Sequence, residues 1–209
     1  MTYVVRLRFL VFILALLFLV ASASAGIIDE LKARQKNLKT VKAAFSQEKH
    51  TELLRHPIRS KGVFYFKSQV GVRWQYDEMT VIYDGKTLYI YYPELEEAER
   101  LDDVSGFFGP LSFDIESLLK GFSMDAKKEN GRIYLTLKPK RQMPFQSMEM
   151  MFPAGSAFPE EVKIKEETGD ITVIKFKDVE INVPVPDELF VFTPPAGVKI
   201  RQRQFPEAQ

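Results

Sequence analysis

The chain has 209 residues, a net charge of +1 and no cysteine. That balance leaves no electrostatic footprint for nucleic acid, and the missing thiol excludes disulfides and the lipid-modified cysteine of a bacterial lipoprotein. With 17 Phe, 8 Tyr and one Trp, either the core is large or some apolar surface meets a ligand.

Arg6 and Arg8 precede twelve apolar residues, Phe9 to Val20, and then the small-residue site Ala23-Ser24-Ala25. This order reads as a secretory signal peptide over residues 1–25, cleaved before Gly26. As a helix the apolar run spans about 18 Å, short of the ~30 Å hydrocarbon core of a membrane. Residues 26–209 are then expected to form a single domain.

Over 26–49 the apolar positions Ile27, Ile28, Leu31, Leu38, Val41, Ala44 and Phe45 predict one amphipathic helix, with Asp29 and Glu30 favourable in its first turn. Two strands follow, in "KGVFYFK" and "VGVRWQY". Alternation assigns Phe64, Phe66, Val72, Trp74 and Tyr76 to one face, with Arg73 on the opposite one. Val63 and Tyr65 are expected to pack outward or against the N-terminal helix. "TVIYDGKTLYIYYP" predicts a hairpin with a two-residue Asp84-Gly85 turn, pairing Tyr83 with Lys86 and Val81 with Leu88. Val81, Leu88 and Ile90 then join the first face, while Ile82, Tyr89 and Tyr91 lie on the other. Both faces are apolar or aromatic, more than a sheet with one wet face would carry.

An acidic stretch, "PELEEAERLDD", reads as surface charge. In "VSGFFGPLSFDIESLLKGF" the glycines and proline mark an apolar loop around Phe107 and Phe108. Ser112 is expected to cap a short helix from Phe113 to Lys120, with Ile115, Leu118 and Leu119 on its apolar side. Asn130-Gly131 and Thr168-Gly169 mark further turns, and the Pro-broken tail "VPVPDELFVFTPPAGVKI" suits a sheet edge. Four methionines, Met143, Met148, Met150 and Met151, suit core filling or an adaptable apolar surface. The sum is about ten strands and two helical segments in one antiparallel α+β domain.

No pattern for catalysis is found. His50 and His56 stand among basic residues without cysteine, a poor metal set. Gly85-Lys86-Thr87 lacks the leading glycine of a phosphate-binding loop, since position 80 is Thr80. No Gly-x-Ser-x-Gly elbow is present, and the carboxylates of "ELEEAE" are contiguous surface charge. The residues describe an exported sheet protein with surplus apolar surface that binds something greasy and is not an enzyme.

Three segments resemble one family. "LKTVKAAFSQ", "DGKTLYIYYP" and "FVFTPPAGVKI" are similar, in order, to patterns of the periplasmic outer-membrane lipoprotein carriers, the LolA family. "GVFYFKSQVGVRWQY" falls between the first two, as a strand pair ending in Arg-Trp-x-Tyr does there. The resemblance implies a strongly curved antiparallel sheet, an unclosed half-barrel, with helices covering its concave face as a lid. It implies acyl chains of lipoproteins as cargo, a periplasmic location, an inner-membrane ABC-type releasing complex as loading partner and a LolB-like outer-membrane acceptor. A monomer without cofactor or metal is expected.

On that basis Phe64, Phe66, Val72, Trp74, Tyr76, Val81, Leu88 and Ile90 form the expected acyl-chain wall. Phe107, Phe108, Leu111, Ile115 and Leu118 form the expected lid. The family's Lys-Arg-Pro, whose arginine is associated with closing the lid, is replaced here by Lys67, Ser68 and Gln69. Arg73 is the neighbouring candidate for lid or partner control. Rival readings are a sensor of lipid on a similar half-barrel and a carrier of another amphiphile.

Overall fold

Twelve strands form one sheet in the computed structural model, which describes residues 24–102, 104 and 112–203. They are β1 (Thr40–His50), β2 (Ile58–Lys67), β3 (Gly71–Tyr76), β4 (Thr80–Tyr83), β5 (Leu88–Tyr92), β6 (Glu97–Leu101), β7 (Phe122–Glu129), β8 (Arg132–Pro139), β9 (Phe145–Phe152), β10 (Glu161–Glu166), β11 (Ile171–Ile181) and β12 (Lys199–Arg203). Their order across the sheet is β12-β6-β5-β4-β3-β2-β1-β11-β10-β9-β8-β7. β12 and β7 end the sheet without meeting, so the half-barrel is unclosed. Among the described residues, helices α1 (24–35) and α2 (Ile115–Gly121) accompany the sheet in an α+β fold.

Every pairing is antiparallel except that of β12 with β6, which is parallel. The tail thus makes an edge strand, held by Arg201 to Glu97 at 2.5 Å and Arg203 to Glu99 at 2.9 Å. Part of the acidic stretch read as surface charge is the partner of this basic strand.

The helix expected over 26–49 ends at residue 35, and β1 begins at Thr40. Val41 and Phe45 are four apart, a spacing that satisfies both the helical and the strand period. Ala43 decides between them: Val41, Ala43 and Phe45 are all buried, an alternation of two. The described part of α1 includes Ser24, which precedes the expected cleavage site. Ser24 Oγ donates to the Ala126 carbonyl at 2.9 Å and accepts its N–H at 2.9 Å.

The β4–β5 hairpin also differs from expectation. Tyr83 pairs with Leu88 and Val81 with Ile90, around a four-residue loop. Asp84 Oδ1 accepts the N–H groups of Lys86 (2.9 Å) and Thr87 (2.7 Å), which widens the turn. The slip is by two residues, so every side chain keeps its face.

α1 lies on the inner face, with Leu31 buried in the same core as Phe64 and Ile27 and Ile28 packed against it. Glu30 ties it down, accepting from Arg34 at 2.6 Å and Lys128 at 2.8 Å. The Lys128 hydrogen bond, then that of Arg34, holds the Glu30 carboxyl below its usual range. The helix is therefore not available to the outer-face aromatics, one of the two places expected for them. The Pro-rich tail covers that face instead: Phe190 is buried beside Gly71, and the Phe192 ring meets Tyr89 at 5.0 Å and Tyr91 at 5.4 Å. Lys67 donates to the Val185 carbonyl at 3.0 Å and pairs with Asp187. A sheet covered on both faces needs apolar residues on both.

Candidate functional site

Strand register brings the expected wall residues together on the inner face. Phe64 is paired with Trp74, Phe66 with Val72, Trp74 with Val81 and Val81 with Ile90. Phe64, Val72, Trp74 and Leu88 are buried, and Phe66, Tyr76, Val81 and Ile90 are partly buried against them in one apolar body. Tyr76 lies opposite Gly62, whose missing side chain makes room for Phe45 of β1. The Phe45 ring meets both Trp74 and Tyr76 edge-on at 4.9 Å.

The wall is sealed by a residue that the sequence pattern places in the first turn of a helix. Phe113 is 2% exposed, and its ring lies 5.9 Å from Phe64, 6.0 Å from Trp74, 5.7 Å from Phe158 and 5.6 Å from Phe176. It reaches them from a left-handed backbone, φ 54°, which costs a non-glycine residue about 1–3 kcal/mol. α2 starts only after it. Its N-cap is Asp114, whose carboxylate accepts the Ser117 N–H at 2.8 Å, rather than the expected Ser112.

Gln35, at the end of α1, secures this turn. Its Nε2 donates to the carbonyls of Phe113 and Ala157, both at 3.0 Å, and its Oε1 accepts the Ile115 N–H at 2.9 Å. Ile115 and Leu118 are fully buried on the core side of α2. Phe107, Phe108 and Leu111 lie outside the described residues.

Two polar atoms mark the wall itself. Tyr76 donates its hydroxyl to Gln47 Oε1 at 3.1 Å, and burial pushes its phenol up to about 12. Trp74 Nε1 is buried and has no hydrogen-bond partner, the one such side-chain atom among the described residues. An orphaned buried donor of this kind costs about 1–3 kcal/mol.

Arg73 sits on the outer face, as alternation requires. Its Nη1 donates to the Leu189 carbonyl at 3.2 Å, so it holds the tail, and it has no described bond to α2. Desolvation lowers its guanidinium from the ordinary arginine value.

A cavity of about 1090 Å³ opens beside the plug, between α1, the β2–β3 turn, α2 and the β8–β9 turn. Leu38, Phe66, Val72, Phe122 and Met143 contribute its apolar surface, so two wall residues continue into it. Met148 and Met150 are buried core instead. No group of three or more metal-ligating side chains occurs among the described residues, and His50 stands 3.7 Å from Glu48.

No helix among the described residues is long and apolar enough to cross a membrane. The family model described as "Outer membrane lipoprotein carrier protein LolA" matches residues 36–193. An outer-membrane lipoprotein carrier protein of Nitrosospira multiformis is 30% identical over 206 residues, covering 92% of this chain and 96% of the relative. One from Dechloromonas aromatica is 29% identical over 186 residues, covering 85% and 88%. In fold, the chain is similar to a solved protein of Thermus thermophilus, with a TM-score of 0.53 at 12% identity, covering 84% of this chain and 98% of that one.

Proposed function

The chain belongs to the LolA family of outer membrane lipoprotein carriers, and from that premise we propose that its inner wall takes up the acyl chains of lipoproteins in transit through the periplasm. Phe64, Phe66, Val72, Trp74, Tyr76, Val81, Leu88 and Ile90 contact the chains. Phe113 and α2, with Ile115 and Leu118, are the movable seal. The observation that carries this reading is the seal: one aromatic side chain, inserted from a costly backbone conformation, completes the aromatic wall.

The energies favour exchange. Burying a CH₂ is worth about 0.8 kcal/mol, so a sixteen-carbon chain gains on the order of 10 kcal/mol on leaving water. Displacing Phe113 releases its backbone strain while forfeiting its burial, and the chain replaces that burial. When empty, the closed seal keeps a large apolar patch out of water, where it would invite aggregation.

In this account the chain is exported by its signal peptide and acts as a monomer. It is loaded by an inner-membrane ABC-type releasing complex and hands cargo to a LolB-like acceptor on the outer membrane. It hydrolyses nothing. Mass spectrometry of the protein purified from periplasm tests the reading. Acylated polypeptide should copurify; free lipid alone, or nothing, would contradict it.

A further inference from the structure

The cavity beside the plug is apolar within and cationic at its rim. Six basic residues line it, Lys32, Lys36, Lys67, Lys120, Lys140 and Arg141, against two acidic ones, Asp114 and Glu116. The whole chain carries only +1, so this is a local concentration of positive charge. Lys67 is committed to Asp187, Lys32 has Asp29 at 3.3 Å, and Asp114 is committed to capping α2. Lys140 donates to the Leu119 carbonyl at 2.8 Å, which leaves its charge unneutralised. Lys36, Lys120 and Arg141 make no described ion pair, and Glu116 is the one rim carboxylate with neither a cap nor a described salt bridge to occupy it.

The unneutralised cations come from three separate elements: Lys36 from the turn after α1, Lys120 from α2, and Lys140 and Arg141 from the β8–β9 turn. A site for one small anion would gather donors at a point. Charges spread around an opening suit several carboxylates on a chain passing through it.

We propose that this rim is a collar that recognises acidic residues placed next to the acyl chains of a lipopeptide. The inference rests on the carrier reading and adds to it a preference among cargoes. Acyl chains lie on the wall, the first residues of the attached polypeptide leave past Lys36, Lys120, Lys140 and Arg141, and carboxylates there gain what basic residues lose. Exposed pairs of this kind are individually weak and together amount to roughly a tenfold preference at low salt.

Calorimetric titration of the full-length mature protein with palmitoylated hexapeptides tests this, the peptide being acidic, neutral or basic. The acidic lipopeptide should bind about tenfold tighter than the neutral one in low salt, the advantage shrinking in high salt. In the variant K36E/K120E/R141E the acidic-to-neutral affinity ratio should fall to one or below; the neutral lipopeptide reports on folding. Equal affinities for all three peptides would overturn the collar while leaving the carrier reading intact. A preference that survives in the variant would also overturn it. Failure of every lipopeptide to bind would instead sink the carrier reading. A short-chain phosphatidylglycerol showing the variant-sensitive gain, with the acidic lipopeptide showing none, would assign the collar to a lipid headgroup and overturn the cargo assignment.

Discussion

Gln35 and Phe113, 78 positions apart in the chain, are joined by a 3.0 Å hydrogen bond from the Gln35 side chain to the Phe113 carbonyl. Because the same amide also takes the Ile115 N–H, one side chain clamps both sides of the turn that inserts the plug. Gln35→Ala leaves those backbone groups without partners, which costs about 1–3 kcal/mol. The loss should be local: hydrogen exchange over 113–118 accelerates and binding of a hydrophobic dye rises. Unchanged dye binding in a folded variant would show that Gln35 does not hold the seal.

Phe113 separates packing from backbone strain. Phe113→Ala empties the aromatic cluster and should cost about 3–5 kcal/mol. Phe113→Gly removes the same ring but suits φ 54°, so it should be more stable than the alanine variant by about 1 kcal/mol. Denaturant titration of the two decides this; alanine equal to or better than glycine would remove the strain from the account.

Gly62 controls how closely β2 and β3 approach. A side-chain carbon there would stand 2.0 Å from the Gln75 carbonyl oxygen and 3.0 Å from the Phe45 ring. Gly62→Ala must move backbone, and overpacking of this kind costs about 1–3 kcal/mol or more. The expected result is a lower urea midpoint together with altered Trp74 fluorescence, since the Phe45 ring rests on both Gly62 and Trp74.

Tyr76 gives the wall an alkaline limit. Its folded phenol ionises at about 12, raised by burial from an ordinary value of 10.0. The neutral form is favoured by the fold, so its contribution is complete below the unfolded value and is lost as pH rises toward the folded one. Stability should decline between about pH 10 and pH 12, by on the order of 2 kcal/mol. Tyr76→Phe should flatten that part of the urea-midpoint profile; an unchanged slope would mean that other groups set it.

Much of the wall was legible in the sequence because strand alternation is a local property. Phe64, Trp74 and Val81 are assigned by parity, and parity survived even the two-residue slip at Asp84. The slip itself was not legible: it depends on which N–H groups the Asp84 carboxylate reaches. The early end of α1 was hidden because Val41 and Phe45 fit two periods at once. Phe113 and Gln35 were out of reach for a different reason. A plug is defined by what it meets, and its partners Phe158 and Phe176 lie more than forty positions away. The tail's hold on the outer face was likewise a long-range fact, although two aromatic faces already signalled that both would be covered.

The central claim is that acyl chains lie on the wall around Trp74, and this tryptophan is the only one in the chain. Its fluorescence can be followed as the protein is titrated with a lipopeptide whose palmitoyl chain is brominated near its middle, a quencher that acts at contact. The account predicts saturable quenching, reversed by an unbrominated competitor and absent with the unacylated peptide. Calorimetric binding of the same lipopeptide without quenching of Trp74 would place the chain elsewhere and contradict it.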